Sequence, residues 1–171
     1  SEFIVGDMSN FNLNEKFDII ICMFSAFGYL TENNQIENFF KSVKKHLNEG
    51  GLLIIDCWNG LGIMNKLPSS IEKSVKIEEL KIIRKSSPNL DSKNHVNNVI
   101  FNVKIFQNNS LIDEYEEQHK VRFFFPKELE KYMNDEGFEL IYTCPSYDLD
   151  KEITEKDWNM VLVGRLKKIC I

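Results

Sequence analysis

The sequence has few of the features that mark metal-binding or disulfide-rich proteins. It has four cysteines, which are Cys22, Cys57, Cys144 and Cys170. They form no C-x-x-C pair, and the three histidines are far apart in the chain, with none near a cysteine. A zinc site needs clustered ligands, so we expect no metal ion. Buried, reduced thiols in a cytoplasmic protein are the expectation instead.

Arginine and positive charge are scarce as well. Only three of the 21 basic residues are arginine, and the net charge is −5, which argues against a dedicated nucleic-acid binder. No apolar run is long enough to span a membrane, and Ser1–Val5 is not a basic-then-apolar signal peptide. What remains is a chain of 171 residues, 43% hydrophobic and 27% charged, with the composition of a globular domain.

The first third of the chain has the pattern of an α/β protein. Phe3–Val5 is predicted as a short strand. Asp18–Phe24 is apolar without alternation, which is typical of a strand covered by helices on both faces of a parallel sheet. An amphipathic helix follows, with Thr31 as its N-cap and Gly50-Gly51 as its stop. Leu52–Asp56 is the next buried strand, so the pattern predicts a right-handed β-α-β unit.

The middle of the chain changes to alternating stretches. Ser74–Arg84, Asn98–Phe106 and Leu111–Phe125 are predicted as strands. Asn108–Ser110 is predicted as the hairpin turn between the last two, and Ser86–Asp91 as a loop. Residues 66–125 therefore read as an antiparallel β insertion into the α/β core.

The last part of the chain returns to the α/β pattern. Pro126 is predicted to open a helix and Gly137 to end it. Phe138–Tyr142 and Trp158–Leu166 are predicted strands joined by a polar loop, which favours an antiparallel pair at the end of the sheet. Residues 1–65 and 126–171 are thus assigned to the core.

Several of these segments together resemble one protein family. They are Val5–Met8, Lys16–Ile20, Met23–Leu30, His46–Asp56 and the closing strand pair that begins at Gly137-Phe138. In this order and spacing they resemble the class I methyltransferases that use S-adenosylmethionine (SAM). Met23–Leu30 and the insertion are most similar to the small-molecule N-methyltransferases, which include enzymes for nucleotide-linked amino sugars and the glycine group. The resemblance implies a Rossmann-like sheet with strand order 3-2-1-4-5-7-6.

The sequence departs from that family at its beginning. The family's first strand ends in a Gly-rich turn and its second in an acidic residue that binds the ribose. No G-x-G-x-G follows an N-terminal strand here, and Gly60-Leu61-Gly62 comes after a later strand. We expect the chain to start at the family's third strand. Asp18–Phe24 would then be a hydrophobic sheet edge, so we expect a homo-oligomer or a partner chain that covers it.

The resemblance also implies where the cofactor binds. Asp7 and Met8 stand where the family binds adenine, and an Asp there can accept the exocyclic amine. Met23, Phe24 and Ser25 follow the fourth strand of the family and are implied to line the methionine part of SAM. The alternatives are structural: Asp7 caps its own loop, and Met8, Met23 and Phe24 pack in the core.

Five further residues are candidates for the substrate and the chemistry. Tyr29 can accept from an ammonium group or hold a water. Asp56 can orient an amine or cap the following loop, and Trp58 can stack on a base or sugar or pack in the core. Tyr115 and His119 share one face of the last insertion strand, where His119 is the best base near neutral pH. A solvated face with charge pairing is the alternative there.

The predicted function is SAM-dependent methylation of a small molecule, with an amine as the favoured acceptor. Methyl transfer from a sulfonium is an SN2 displacement that needs alignment and loss of water rather than a triad or a metal. S-adenosylhomocysteine (SAH) is then the product, and neither nucleic acid nor membrane is an expected partner. O-methylation stays open. One alternative is a truncated, non-catalytic half-domain that binds no SAM alone, and a redox Rossmann protein is a weaker one.

Overall fold

A computed structural model describes residues 2–146 and 148–168 of the chain. They form two compact units, one of residues 2–66 with 123–146 and 148–168, and one of residues 67–122. The elements, in chain order, are β1 (Phe17–Cys22), α1 (Asn33–His46), β2 (Leu47–Trp58), α2 (Gly60–Asn65), β3 (Ile71–Ile77), β4 (Leu80–Asp91), β5 (Val96–Gln107), β6 (Ser110–Arg122), α3 (Pro126–Asp135), β7 (Phe138–Pro145) and β8 (Asn159–Leu166).

The sheet of the first unit has the strand order β1-β2-β8-β7. Strand β1 runs parallel to β2, while β8 is antiparallel to both β2 and β7. The predicted β-α-β unit and the predicted antiparallel pair at the end of the sheet are therefore confirmed. The order corresponds to strands 4-5-7-6 of the sheet that the family resemblance implies.

Helix α1 connects the two parallel strands in the chain and packs an apolar stripe against the sheet. The predicted N-cap at Thr31 is wrong by one residue. The cap is Glu32, which forms a capping box with Gln35, and this pairing satisfies backbone N–H groups that Thr31 is one residue too early to reach. The helix ends at His46 rather than at the glycines, and β2 begins directly at Leu47.

Phenylalanine rings hold the core of this unit together. The ring of Phe27 lies 5.1 Å from Phe39 and 5.0 Å from Phe124, measured between centroids. All three side chains are almost fully buried, so each removes a large apolar area from water. Phe27 belongs to a short 3₁₀ turn, Ala26–Tyr29, and its packing anchors the turn that follows β1.

Strand β1 is the edge of the sheet among the described residues, and one of its faces is open. Ile20 and Cys22 are partly buried, whereas Ile19 and Ile21 are 54% and 61% exposed. The predicted cover on both faces of this strand is therefore wrong for this chain. The predicted strand Phe3–Val5 is wrong too, because nothing in the described chain pairs with it and a strand needs a ladder partner for its backbone.

The second unit is an antiparallel sheet with the order β3-β4-β5-β6. The predicted hairpin turn is confirmed, since Asn108 and Asn109 have φ values of 49° and 65°, as a type I′ turn requires. The predicted continuous strand Ser74–Arg84 is wrong, because a turn at Glu78-Glu79 divides it into β3 and β4.

The predicted loop Ser86–Asp91 is also wrong, because β4 continues through it to Asp91. Pairing with β3 ends at Ser86, while pairing with β5 continues, with Pro88 opposite Val99. Beyond Ser86, β4 has a neighbour on one side only. Proline lacks an N–H and is tolerated where that side of the strand needs no ladder bond.

Helix α3 follows its sequence signals. It begins at Pro126, buries Leu129 and Met133, and is followed by Gly137 with a φ of +90°. The predicted start and stop of this helix are confirmed. Glycine is suited to the last of these positions because a left-handed backbone costs it no clash with a Cβ atom.

Candidate functional site

The carboxyl ends of β1 and β2 form the edge at which α/β sheets bind ligands. The parallel register pairs Cys22 with Ile55, so both strands end on the same side of the sheet. The structure thereby brings together two groups of predicted site residues, Met23 to Ser25 after β1 and Asp56 at the end of β2. We name this place the carboxyl-edge site.

The backbone after β1 turns through two left-handed residues in succession. Phe24 and Ser25 have φ values of 60° and 56°, which residues other than glycine seldom adopt. Each such residue costs of order 1 kcal/mol or more, and such strain persists where the surroundings determine the conformation. The turn continues with hydrogen bonds from Ala26 N–H to Met23 C=O at 3.2 Å and from Gly28 N–H to Ser25 C=O at 3.0 Å.

Asp56 is what holds this turn in place. The backbone N–H of Ser25 donates to Oδ1 of Asp56 at 2.5 Å, and the Asp56 side chain is 7% exposed. A bond from an N–H to a buried carboxylate is stronger than a neutral one. Asp56 therefore caps the loop that follows β1, on the neighbouring strand. Its predicted contact with a substrate amine stays a prediction.

The Asp56 carboxylate also affects two thiols. Burial, and after it the negative charge of Asp56, raises the pKa of Cys22 to about 11. The same two causes raise the pKa of Cys57 well above its ordinary value. Cys22, Cys57 and Cys144 form no disulfide among the described residues, and Cys170 lies outside them. The two groups beside Asp56 are thus neutral thiols at neutral pH and poor nucleophiles.

Two aromatic side chains of the turn face outward. Phe24 is 94% exposed and Tyr29 is 48% exposed, while Met23 is half-buried. The alternative that Phe24 packs in the core is therefore wrong. A large, almost fully exposed phenyl ring on a strained turn is an unusual use of an apolar residue, and it is available to cover a ligand at the carboxyl edge.

Asp7 and Met8 lie in an irregular segment ahead of β1. Oδ1 of Asp7 accepts from both the N–H and the hydroxyl of Ser9, each at 2.8 Å. These bonds lower the pKa of Asp7, so its carboxylate stays ionised at neutral pH. The predicted loop cap is thus present, and the contact with adenine stays a prediction. Met8 is half-buried and packs against the core of the first unit.

Trp58 is half-buried at the end of β2. Its ring packs edge-to-face on Trp158, with centroids 6.3 Å apart and planes at 65°. Trp58 is the last residue of β2 and pairs with Asn159, and Trp158 directly precedes β8. Trp58 thus makes a packing contact, as the alternative interpretation expected. Its stacking on a base or sugar stays a prediction.

Asn59 is a residue of this edge that the sequence analysis missed. Its fully buried side chain accepts from Leu61 N–H at 3.1 Å, as the N-cap of α2, and donates to the carbonyl oxygens of Thr154 at 3.0 Å and Asp157 at 2.8 Å. It thereby fixes the 154–157 loop against the end of β2. The available signal was an Asn directly before a short helix, which is a preferred N-cap position.

Tyr115 and His119 belong to the second unit. The register of β6 against β5 pairs Tyr115 with Val103 and His119 with Val99, so the two side chains share one face, as expected. Nε2 of His119 lies 3.4 Å from Oε2 of Glu117, and its ring centroid is 5.1 Å from that of Phe101. His119 and Glu117 are thus in contact on this face, and the predicted roles of Tyr115 and His119 stay predictions.

Neither a metal site nor a membrane-spanning helix is found among the described residues. Within residues 2–146 and 148–168, no group of three or more His, Cys, Asp or Glu side chains could hold a metal ion. In the same ranges, none of the helices has the length and apolarity that a membrane span requires.

Comparison with other sequences finds methyltransferases that match parts of this chain. No protein-family profile matches it. It is 36% identical over 53 residues to a dTDP-3-amino-3,4,6-trideoxy-alpha-D-glucopyranose N,N-dimethyltransferase of Streptomyces venezuelae, a match that covers 31% of this chain and 22% of that one. A longer match, 26% identical over 139 residues, joins 81% of this chain to 55% of YqeM of Bacillus subtilis (strain 168), which is named as a methyltransferase.

Comparison with solved structures shows the fold. A SAM-dependent methyltransferase from Clostridium acetobutylicum superimposes with a TM-score of 0.78 at 19% identity, over 96% of this chain and 64% of that one. CalS10, an amino pentose methyltransferase from Micromonospora echinaspora solved with bound SAM, gives a TM-score of 0.73 at 18% identity over 95% and 63%. The predicted Rossmann-like class I fold and the resemblance to small-molecule methyltransferases are confirmed. The chain spans less than two thirds of the length of each of these proteins.

Proposed function

We propose that this chain is the part of a SAM-dependent methyltransferase that forms the carboxyl-edge site, and that the enzyme methylates the amine of a small molecule. The observation that carries the proposal is the strained Phe24–Ser25 turn held by Asp56 at that edge. The leading acceptor is the amino group of a nucleotide-linked sugar, because the Streptomyces relative and CalS10 are both named for amino-sugar substrates.

Residues of the carboxyl-edge site, together with Asp7 and Met8 ahead of β1, are proposed to fit the chemistry of SAM, which supplies an electrophilic methyl group on a sulfonium cation. The ionised carboxylate of Asp7 can accept from the exocyclic amine of adenine, and Met8 offers an apolar surface beside it. The exposed ring of Phe24 can cover the cation, since an aromatic face attracts positive charge and excludes water. No Gly-rich turn for the methionine end is present in this sequence.

The acceptor amine must be neutral to attack, so a proton has to leave it before or during transfer. The hydroxyl of Tyr29 is proposed to orient the amine. His119 belongs to the second unit and is kept as the candidate for the proton acceptor. Asp56 is retained as a substrate-binding candidate. Trp58 is proposed to contact the sugar, and Tyr115 of the second unit is kept as a separate substrate-binding candidate. N-methylation is favoured over O-methylation by the relatives and not by a residue of this chain.

The open edge of β1 is the second part of the proposal. Its apolar residues Ile19 and Ile21 are expected to be covered by another polypeptide segment, which pairs with β1 as an additional strand. Ile21→Lys should then weaken self-association or partner binding, as measured by sedimentation, without loss of the sheet. A wild-type chain that stays monomeric, with no partner that protects β1 from hydrogen exchange, would contradict this part.

Calorimetric titration of SAH into the 171-residue chain tests the cofactor assignment. Micromolar binding is expected, and Asp7→Ala should weaken it about tenfold, the loss expected for one hydrogen bond that involves a charged group. Asp91→Ala is the matched control, since Asp91 is equally exposed and caps its own turn through Asn94. A chain that binds no SAH up to millimolar concentration contradicts the proposal. If Asp7→Ala and Asp91→Ala bind SAH with equal affinity, the role of Asp7 is rejected and the rest of the proposal stands.

A further inference from the structure

The segment Asp7–Leu13 has no strand or helix to hold it, and the end of helix α1 does so instead. The hydroxyl of Ser42 donates to the carbonyl oxygen of Ser9 at 3.4 Å. The backbone N–H of Leu13 donates to Nε2 of His46 at 2.9 Å. The ring of Phe11 packs on the same imidazole, with centroids 4.8 Å apart.

His46 is at the centre of this contact. It is 2% exposed, and Ser42 and Ser9 beside it are 5% and 8% exposed. A buried polar side chain with two occupied nitrogens is a specific arrangement, because each nitrogen needs a partner of the opposite hydrogen-bonding type. Most of the apolar packing around this position would be served equally well by a Leu or Phe, which have no acceptor for the Leu13 N–H.

The partners of the two ring nitrogens determine the tautomer. Nε2 faces the N–H of Leu13 and must accept, whereas Nδ1 lies 2.6 Å from the carbonyl oxygen of Ser42 and must donate. The imidazole is therefore neutral, with its proton on Nδ1. The Ser42 bond orients the ring from within the helix, and the ring in turn presents its lone pair to the segment.

The geometry points to His46 as a positioning residue: by accepting from Leu13 it docks the Asp7–Leu13 segment on α1 and sets the position of Asp7 and Met8. The link to cofactor affinity rests on the proposed function, in which Asp7 and Met8 bind adenine. An acceptor lost at position 46 leaves the Leu13 N–H without its partner, and the segment has few other bonds to retain it. His46 touches neither cofactor nor substrate in this role.

Hydrogen exchange by mass spectrometry tests the docking itself. His46→Phe keeps an aromatic ring for Phe11 but has no acceptor, and it should raise exchange in peptides from residues 7–14 about tenfold while β2 and β8 are unchanged. His46→Gln has an amide oxygen that can reach the position of Nε2, and it should return exchange to near the wild-type rate. His95→Asn, in a turn of the second unit, is the control. Equal exchange in wild type and His46→Phe, or no rescue by Gln, would overturn the inference.

A second measurement needs no variant, in case His46→Phe does not fold. Long-range proton–nitrogen correlation on the wild-type chain at neutral pH should show Nδ1 protonated and Nε2 with a free lone pair. An Nε2–H tautomer or an imidazolium would overturn the inference. SAH titration of the same variants then separates the two proposals. SAH affinity that falls about tenfold in His46→Phe and recovers in His46→Gln supports both proposals.

Absence of SAH binding by every form, with the expected exchange pattern, would reject the proposed function and leave the docking role of His46 intact. Unchanged SAH affinity alongside faster exchange would refute the link between His46 and the cofactor.

Discussion

The backbone N–H of Ser25 donates to the carboxylate of Asp56 over 2.5 Å, and this one bond joins the carboxyl ends of two neighbouring parallel strands. It makes the strained turn after β1 a fixed feature of the sheet rather than a loose loop. Asp56 is consequently part of the framework of the carboxyl-edge site. Any contact it makes with a substrate would use a carboxylate that the fold has already oriented.

Removal of the Asp56 carboxylate should destabilise the first unit. Asp56→Ala is expected to lower the free energy of unfolding by about 2 kcal/mol, the range for a buried hydrogen bond to a charged group. Asp56→Asn keeps an oxygen acceptor, so its free energy of unfolding should fall by less than that of Asp56→Ala. Asp113→Ala, at an exposed carboxylate of β6, is the control. Urea unfolding gives the comparison, and an Asp56→Ala chain as stable as the control would refute the role of this bond.

The two thiols beside Asp56 predict a loss of stability at alkaline pH. The pKa of Cys22 is raised from an ordinary value of 9.0 to about 11, so between these values the folded chain holds a proton that the unfolded chain has released. Stability is then full below pH 9 and falls as the pH rises towards 11, by about 2 kcal/mol for this group.

Unfolding in urea at pH 8 and pH 10.5 measures this dependence. Cys22→Val removes the titrating thiol and should make the free energy of unfolding less dependent on pH. The dependence that remains would be due to Cys57. Alkylation by iodoacetamide provides an independent check, since Cys22 in the folded chain should react slowly at pH 9, where an ordinary thiol is half ionised. Rapid modification of folded Cys22 at that pH is the result that contradicts a raised pKa.

We expect Phe24 to contribute to SAH binding and not to the stability of the fold. Phe24→Gly relieves a left-handed backbone and loses little packing, so it is expected to leave the free energy of unfolding unchanged or raise it by about 1 kcal/mol. If the ring covers the cofactor, SAH affinity should fall at the same time. Glu78→Gly, at a φ of 54° in the turn between β3 and β4, is the matched control and should keep its affinity. Parallel loss of stability and affinity in Phe24→Gly would instead indicate a packing role.

Gly62 should tolerate no side chain. A Cβ atom there would lie 2.2 Å from the carbonyl oxygen of Asp157, whereas one at Gly6 would meet nothing within 4 Å. Gly62→Ala should displace the 154–157 loop that Asn59 holds and cost about 2–3 kcal/mol of stability. Gly6→Ala is the control. The melting temperatures of the two variants test the prediction, and Gly62→Ala should melt at the lower temperature. Equal melting temperatures would show that the loop moves without cost.

Local signals account for the parts of the fold that the sequence predicted well. Pro126 and Gly137 bracket α3 because one presets the first helical φ and the other adopts the left-handed stop. Asn108-Asn109 formed the predicted hairpin turn because two consecutive positive φ values suit asparagine. Unbroken apolar runs identified β1 and β2 as neighbours in a parallel sheet, although β1 has one open face in this chain.

Other features depended on partners distant in the sequence. Pro88 and the polar residues around it read as a loop, but their pairing with β5 made them strand. His46 reads as the end of an amphipathic helix, and only the arrival of Leu13 from 33 positions earlier gives its Nε2 a partner. The sequence by itself determined helix α3 with its start and stop, the Asn108-Asn109 hairpin turn, and the parallel strands β1 and β2. The tertiary structure decided that Asp56 binds Ser25 and that His46 binds Leu13, because a hydrogen bond between residues about 30 positions apart has no signature in either segment alone.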